Sequence, residues 1–230
     1  MADSSKTAVE LVVSADPYGA AAERAADLLP VIARDASRVR LAVTGGSASA
    51  AVREAFDRLD KRGFDFARLL LTWIDERCVP VASPESNRGA LGKLPPAGVV
   101  LPLFEDGESP EDAVARADLG LVRRFGKAID VALLGLGPDG HVASLFPGRA
   151  RLLGRVAHVA DSPKPPASRI TLTRLMLATA QHTLVAARGA EKSEAIARLV
   201  AGDPTLAATG LRGLVVFTDP EGAAASKGRA

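Results

Sequence analysis

A glycine-rich turn after an apolar run carries the residue best suited to acid–base chemistry. The apolar run ends at Leu134, and the turn that follows it contains Asp139 and His141. A histidine titrates near neutral pH, and an aspartate two residues away can orient its ring and stabilise its charged form. The pattern therefore predicts His141 as a general base with Asp139 as its partner.

The same turn matches the spacing of a dinucleotide-binding loop, because Gly135, Gly137 and Gly140 form a G-x-G-x-x-G pattern. That fingerprint opens a long helix, whereas Pro147 restricts any helix here to little more than one turn. It would also leave the aspartate and the histidine without a role. We therefore reject a dinucleotide site and expect no cofactor.

A second glycine turn, Thr44-Gly45-Gly46-Ser47, lies between a strand pattern and a helical pattern. Paired glycines let the backbone approach a ligand, and Ser47 can cap the following helix, whose free N–H groups attract an anion such as phosphate. The turn lacks the Gly-Lys-Ser/Thr ending of a Walker loop, so it does not indicate a nucleoside triphosphate. An ordinary strand-to-helix turn has similar residues, and this alternative stays open.

Four basic residues near other strand patterns are candidates for binding an anion: Arg77, Lys164, Arg169 and Lys192. Arg77 ends the run Asp75-Glu76-Arg77 and offers the planar fork that suits phosphate. Prolines beside Lys164 stiffen its backbone, and Lys192 lies in the first turn of a helical pattern, where a cation is unfavourable unless an anion is bound. Taken singly, Lys164, Arg169 and Lys192 are more often solvated surface charges, and for Arg77 a surface salt-bridge cluster stays open as the alternative.

The composition restricts the partners of the chain. Lys and Arg number 29 against 27 Asp and Glu, an excess too small to indicate nucleic acid. The single cysteine, Cys78, excludes an internal disulfide and a multi-cysteine metal site, as in a reducing cytosol. No run approaches the ~18 apolar residues of a membrane span, and residues 1–10 lack the apolar core of a signal peptide. We expect a cytoplasmic protein without a metal, nucleic-acid or membrane partner; the oligomeric state stays open.

Short aliphatic runs alternate with longer helical patterns, which predicts an α/β fold: a single domain over residues 1–230 with a mostly parallel sheet and helices on both faces. Predicted strands are 10–14, 40–44, 68–74, 99–103, 130–135, 157–159, 169–173, 182–187 and 214–218; predicted helices are 19–34, 47–59, 110–125, 175–180 and 190–201. The tail from Gly222 to Ala230 is expected to be flexible. Ligands bind at the carboxyl ends of parallel strands, so chemistry is expected in the loops there.

Together these segments resemble the 6-phosphogluconolactonase family. The resemblance rests on Thr44 to Ser47, Trp73 with Asp75 to Arg77, Val79-Pro80, Ser86-Asn87, Leu134 to Gly148, Lys164 to Pro166, Arg169 to Thr173 and Gly189 to Lys192, which follow the family's order. One departure is Val142, where a threonine is expected after the histidine. Its loss affects a secondary hydrogen bond and not the base.

The resemblance implies a metal-free esterase of the pentose phosphate pathway, with a Rossmann-like fold related to glucosamine-6-phosphate deaminases. It implies that His141 activates water for attack on the carbonyl of 6-phosphoglucono-1,5-lactone and that Asp139 supports it. The residues implied to hold the phosphate are Arg77 and Lys164 with the Thr44 to Ser47 turn, and Arg169 and Lys192 are further candidates for the same pocket. Which of them stabilise the oxyanion stays open.

Two other functions remain as alternatives. A glucosamine-6-phosphate deaminase or isomerase shares the fold and the Asp-Gly-His turn but needs a base that moves a proton between sugar carbons. The segments 73–77 and 164–173 favour the lactonase. A sugar-phosphate sensor without turnover is disfavoured because His141 and Asp139 are both present, and no pair of DNA-binding helices is apparent.

The sequence predicts an activity that resists chelators, because no group of His, Cys, Asp and Glu has the spacing of metal ligands. Hydrolysis of an activated ester needs only a base and a partner for the oxyanion. Activity should be unchanged after incubation with excess chelator, measured as acid release from fresh lactone above an enzyme-free blank. Inactivation that one specific metal reverses would contradict this mechanism.

Overall fold

The structure, a computed structural model, describes residues 9–226, which contain ten strands, most of them formed by aliphatic and β-branched runs. In chain order the strands are β1 (Glu10–Val13), β2 (Val39–Val43), β3 (Leu69–Trp73), β4 (Asp75–Arg77), β5 (Val99–Leu101), β6 (Val131–Gly135), β7 (Val156–Val159), β8 (Arg169–Leu172), β9 (His182–Ala186) and β10 (Leu214–Thr218). The α-helices of the same part of the chain are α1 (Pro17–Asp35), α2 (Ser49–Lys61), α3 (Asn87–Leu91), α4 (Pro110–Arg124), α5 (Arg174–Leu177) and α6 (Ser193–Val200).

Seven of these strands form one parallel sheet, in the spatial order β1-β10-β9-β6-β2-β3-β5. Every residue of β3 and β10 is buried, so both faces of the sheet are covered at these strands. Apolar residues on consecutive positions, rather than on alternate ones, are what a doubly covered strand requires. The predicted α/β fold with a mostly parallel sheet is confirmed.

The strands β4, β8 and β7 form a separate antiparallel sheet in that order. The predicted strands 157–159 and 169–173 therefore exist, but they lie outside the parallel sheet. The sequence did not predict β4, because three consecutive charged residues give no strand pattern. Its pairing with β8 places Arg77 opposite Arg169 and so brings two of the predicted loops together.

The parallel register brings three more loops to one edge, since β6 pairs with both β2 and β9. The Thr44–Ser47 turn follows β2, the turn with His141 follows β6, and the segment with Lys192 follows β9. Side chains that are far apart in the sequence therefore meet at the carboxyl ends of these strands.

Two predicted helices begin later than expected, after short 3-10 turns at Gly46–Ala48 and Ala190–Lys192. Ser47 lies inside the first of these turns, and no side chain caps that turn or α2. The predicted cap is therefore absent, and the Ser47 hydroxyl is directed elsewhere. Among residues 9–226, no helix has both the length and the apolar character that crossing a membrane requires.

The chain end corrects one prediction. Gly222 and Ala223 are buried, Ala224–Ser226 form a 3-10 turn, and the backbone N–H of Ala225 donates to Ser193 Oγ at 2.8 Å. The prediction of a flexible tail from Gly222 onward is therefore wrong for residues 222–226. Small side chains let this segment pack beside α6. Residues 1–8 and 227–230 lie outside the described residues. They include most of the segment 1–10, which was considered as a signal peptide, and the rest of the predicted tail.

The carboxylate of Asp130 joins β6 to β2, and its removal should destabilise the fold. It accepts hydrogen bonds from the backbone N, the Nε and the Nη2 of Arg40 at 2.7, 2.9 and 2.8 Å, and it is 1% exposed. Asp130→Ala should lower the free energy of unfolding in urea by about 3 kcal/mol, because it leaves these donors without a partner. Asp118→Ala, which breaks an ion pair with Arg155 that is about one-third exposed, should cost at most about 1 kcal/mol. Equal losses in the two variants would contradict this ranking.

Candidate active site

A cavity of about 300 Å³ opens where these loops meet. Nine of the ten site residues expected from the sequence line it: Thr44, Gly45, Gly46, Ser47, Arg77, His141, Lys164, Arg169 and Lys192. The tenth, Asp139, contacts His141 at the edge of the cavity. The fold therefore brings the expected residues together, although they span about 150 positions of the chain.

His141 and Asp139 form a hydrogen-bonded pair, with Nδ1 of the imidazole 2.5 Å from Oδ1 of the carboxylate. An ionised carboxylate can only accept hydrogen bonds, so Nδ1 carries the proton in this pair. The backbone N–H of His141 donates to the same oxygen at 3.3 Å. The Nε2 atom is left as the basic nitrogen, which is the tautomer that a general base needs.

The surroundings keep the ring neutral and the carboxylate charged. Burial lowers the pKa of His141 below its ordinary value; Asp139 acts in the opposite direction, and Lys164 adds to the lowering. Burial by itself would raise the pKa of Asp139, but the hydrogen bond and charge of His141 outweigh it, and the pKa lies below its ordinary value. The pair therefore presents an uncharged imidazole beside an ionised carboxylate at neutral pH.

The glycines of this turn make room for the pair. A Cβ atom on Gly137 would lie 2.0 Å from Nδ1 of His141 and 2.6 Å from Oδ1 of Asp139. Gly140 has a φ of +91°, which side chains rarely adopt. No helix follows the turn, because Val142 instead pairs with Leu145 in a β-bridge. This geometry differs from that of a dinucleotide loop, which opens a helix.

The turn after β2 packs closely against neighbouring segments. A Cβ on Gly45 would lie 1.9 Å from Oδ1 of Asn87, and Gly46 has a φ of +60°. Nζ of Lys192 donates to Oγ of Ser47 at 3.4 Å, so a cation from the start of α6 lies at the start of α2. Lys192 is half-buried, and this partial desolvation lowers the pKa of its ammonium group. This corner suits an anionic ligand.

A buried carboxylate, Asp75, ties several loops together. It accepts hydrogen bonds from Nδ2 of Asn87 at 3.0 Å and from Oγ of Ser144 at 2.7 Å. Nη1 of Arg169 lies 3.7 Å from its second oxygen. Asp75 and Asn87 also line the cavity, so this network forms part of its wall.

The side chain of Arg169 is 4% exposed and is directed mainly at the protein. Its Nη2 donates to the carbonyl oxygens of Lys164 and Pro165 at 3.0 and 3.1 Å, and its Nε donates to that of Pro166 at 3.0 Å. Burial lowers the pKa of Arg169, while Asp75 acts in the opposite direction. The guanidinium therefore holds the backbone of the Lys164–Pro166 segment.

The other two cations face the cavity in different ways. Nζ of Lys164 lies 3.5 Å from Nδ1 of His141 and 3.7 Å from Oδ1 of Asp139, so its charge acts directly on the pair. Arg77 donates from Nη1 to the carbonyl oxygen of Glu85 at 2.5 Å, while its buried Nε has no hydrogen-bond partner among the described residues. Lys164 thus lies beside the His141–Asp139 pair, and Arg77 lies on the cavity wall formed by β4.

Sequence reasoning assigned no role to Asp75 or Asn87, although both lie in segments that carry the resemblance. The signal for Asp75 is a carboxylate two residues beyond a fully buried strand, at the edge where ligands bind. Nothing in the pattern distinguishes Asn87 from an ordinary loop residue. Within residues 9–226, no group of three or more His, Cys, Asp or Glu side chains is arranged to hold a metal ion.

Comparison with known proteins shows which family has this architecture. The family model described as glucosamine-6-phosphate isomerases/6-phosphogluconolactonase matches residues 15–212. The chain belongs to this family. The His141–Asp139 pair and both glycine turns lie within the matched residues.

Curated relatives and a solved structure agree with this membership. A 6-phosphogluconolactonase of Rattus norvegicus is 38% identical over 147 residues, which are 59% of this chain and 57% of that protein. A probable 6-phosphogluconolactonase 4 of Arabidopsis thaliana is 30% identical over 181 residues, 68% of this chain and 69% of the relative. The matches thus span between about half and two-thirds of these relatives' lengths. A 6-phosphogluconolactonase structure from Thermotoga maritima has a TM-score of 0.77 at 25% identity and covers 93% of this chain and 100% of its own.

The fit of Gly137 against the pair predicts the effect of one added methyl group. Gly137→Ala should displace His141 or Asp139, because its Cβ would lie 2.0 and 2.6 Å from their side-chain atoms. We expect kcat for 6-phosphogluconolactone to fall by about a hundredfold, the usual result of a displacement near 1 Å. Gly135→Ala, whose Cβ would meet its neighbours only at 3.4 Å, should keep kcat within a few fold. A Gly137→Ala enzyme with wild-type kcat would show that the pair does not depend on this close fit.

Proposed function

We propose that the chain hydrolyses 6-phospho-D-glucono-1,5-lactone to 6-phospho-D-gluconate, a step of the pentose phosphate pathway. The observation that carries this proposal is the His141–Asp139 pair, which presents a neutral imidazole to a cavity lined by several cations. Membership of the family and the names of the relatives support it. A strained, activated ester with a distant phosphate suits a site with one base and several positive charges.

In the proposed mechanism, Nε2 of His141 removes a proton from a water molecule as the water oxygen attacks C1 of the lactone. The carbonyl becomes a tetrahedral oxyanion, which collapses and breaks the bond between C1 and the ring oxygen. The imidazolium returns the proton to the departing ring oxygen, which becomes a hydroxyl group. Asp139 keeps the proton on Nδ1 and stabilises the imidazolium between the two transfers.

Lys164 is assigned to the carbonyl end of the substrate. Its ammonium group lies within 4 Å of both members of the pair, so it lies beside the centre where negative charge develops. A fixed cation at such a position stabilises the oxyanion more than the neutral carbonyl. This assignment differs from the expectation that Lys164 binds the phosphate, and the variants described below distinguish the two roles.

The phosphate is assigned to the corner formed by the Thr44–Ser47 turn and Lys192, with Arg77 as a further cation on the cavity wall. Gly46 is exposed and has a positive φ, and no side chain caps the 3-10 turn or α2, so backbone N–H groups at this helix start are available to an anion. Partial desolvation of Lys192 favours pairing with a dianion. Arg169 is instead a positioning residue for the Lys164 segment, since its donors bind protein carbonyls.

The alternative within the family is deamination or isomerisation of glucosamine 6-phosphate. That reaction needs a base that is free to move a proton between two sugar carbons. Among the described residues, Asp75 supplies the carboxylate that lines the cavity, and hydrogen bonds from Asn87 and Ser144 occupy both of its oxygens. The described cavity therefore favours hydrolysis.

Turnover of the two substrates tests the proposal directly. Purified protein should release acid from freshly made 6-phosphogluconolactone faster than an enzyme-free blank, and it should release no ammonia from glucosamine 6-phosphate. Ammonia release without lactone hydrolysis would replace the proposal by the deaminase. Binding of 6-phosphogluconate without turnover of either substrate would replace it by a sensor.

The proposal also includes the domain organisation and the cellular location of the enzyme. We infer a single domain over residues 1–230, supported by a family match that crosses most of the chain without interruption. A cytoplasmic location without nucleic-acid or membrane partners is supported by the lone thiol of Cys78 and a net charge of only +2.

Substrates with and without the phosphate distinguish the roles of the cations. Lys192→Ala and Arg77→Ala should raise KM for the phosphorylated lactone about tenfold to a hundredfold, the usual cost of a lost charge-assisted contact, and should leave kinetics on unphosphorylated gluconolactone unchanged. Lys164→Ala should lower kcat on both lactones. The exposed Lys93→Ala serves as a matched control and should change neither. A Lys164→Ala variant with a raised KM only for the phosphorylated lactone would move Lys164 to the phosphate.

A further inference from the structure

The ring of Phe146 packs directly on the imidazole of His141. The two ring centroids lie 4.8 Å apart with their planes tilted by 32°, and Phe146 is only 9% exposed. The chain returns to His141 after five residues because it reverses at the bridge between Val142 and Leu145. A flat apolar ring at this distance restricts rotation of the imidazole and excludes water from it.

Phe146 does not line the proposed substrate cavity, which His141 does line. It lines a second cavity of about 470 Å³, to which His141 does not contribute. The stacked pair therefore lies between the two cavities. Loss of the phenyl ring would open a route for water from the second cavity to the imidazole.

Arginine side chains border this second cavity, but two of them already have partners. Arg149 forms an ion pair with Asp161 at 2.7 Å, and Arg174 donates to the carbonyl oxygen of Thr209 at 2.8 Å. The guanidinium of Arg149 also lies 5.8 Å from the centroid of the Phe146 ring. A cation that is already paired therefore lies near the Phe146 ring.

We propose that Phe146 is a positioning residue for the base, holding the His141 imidazole in the orientation set by Asp139 and shielding it from the second cavity. This inference rests on the proposed function, because such a role matters to turnover only if His141 transfers the proton. Phe146 does not line the proposed substrate cavity and packs on the imidazole of His141, so it acts through His141.

The charges around His141 make the effect of shielding measurable. Asp139 faces the imidazole from its own turn, Lys164 from the segment between β7 and β8, and Asp75 from β4. Burial lowers the pKa of His141 and is the largest influence on it, ahead of these charges. Hydration of the ring should therefore raise this pKa toward its ordinary value, while the three charges stay in place.

Two substitutions separate shielding from simple loss of structure. Phe146→Ala admits water, so the acid limb of kcat/KM should move to higher pH, and kcat at neutral pH should fall by about tenfold to a hundredfold as the ring loses its fixed position. KM should stay within a few fold. Phe146→Leu keeps the apolar bulk and should restore the acid limb to its wild-type position.

NMR titration of the imidazole C–H signals measures the same effect without turnover. The chain has three histidines, and His182, in β9, serves as an internal reference. The His141 pKa should rise in Phe146→Ala, stay near the wild-type value in Phe146→Leu, and leave His182 unchanged. If Phe146→Ala does not fold, Phe146→Val should give a smaller rise in the same direction.

A second buried phenylalanine provides the control for lost stability. Phe56 is 8% exposed and packs on Phe66, away from the described site, so Phe56→Ala should leave the His141 titration unchanged. An unchanged His141 pKa in the Phe146 variants, or an equal shift in Phe56→Ala, would overturn the inference. Since the titration needs no substrate, a failure of the proposed function appears in turnover alone, and a failure of this inference appears in the titration.

Discussion

The site depends on one buried ion pair, between Asp75 of β4 and Arg169 of β8. Asp75 holds Asn87 and Ser144, which come from the segments after β4 and β6, and Arg169 holds three successive carbonyl oxygens of the Lys164–Pro166 segment. Removing two charges from water costs several kcal/mol for each ion, which their attraction offsets only if their other donors and acceptors are also satisfied. In this pair, the other donors and acceptors bind segments that come from different parts of the chain. We interpret the pair as fixing the arrangement of these loops rather than as a large net source of stability.

Two glycines near this pair are as important to the site as its polar side chains, because they have no Cβ atom. Gly137 leaves space for the imidazole and carboxylate, and Gly45 leaves space for the amide of Asn87. Gly137 thus lets two side chains of its own turn pack on the backbone, and Gly45 lets the turn after β2 pack against the start of α3. The same closeness that sets the orientation of His141 also removes water from it, which lowers its pKa and keeps it able to accept a proton.

Much of this arrangement could be predicted from the sequence, because strands and turns leave local patterns. Consecutive apolar residues indicated the strands of the parallel sheet, and the Asp-Gly-His turn drew attention to Asp139 and His141, whose side chains are hydrogen-bonded at the cavity. The strand β4 could not be predicted in this way, since Asp75, Glu76 and Arg77 are charged and form a strand only by pairing with β8, about 95 residues further along the chain, a contact that leaves no local pattern. For the same reason the sequence did not show that Arg169 binds carbonyl oxygens, or that Phe146 returns to pack on His141. These contacts depend on tertiary structure rather than on local spacing.

The central claim, that a neutral His141 is the base, is tested most directly by the pH dependence of hydrolysis in wild-type protein and in His141→Asn. Since burial lowers the pKa of His141, the acid limb of wild-type kcat/KM should lie below the ordinary pKa of a histidine. His141→Asn should lose this limb and lower kcat by about 10² to 10⁴-fold, the usual contribution of general base catalysis, with KM within a few fold. Each rate must be corrected for spontaneous hydrolysis of the lactone at the same pH. Retention of most of the wild-type kcat with the same acid limb would contradict the account.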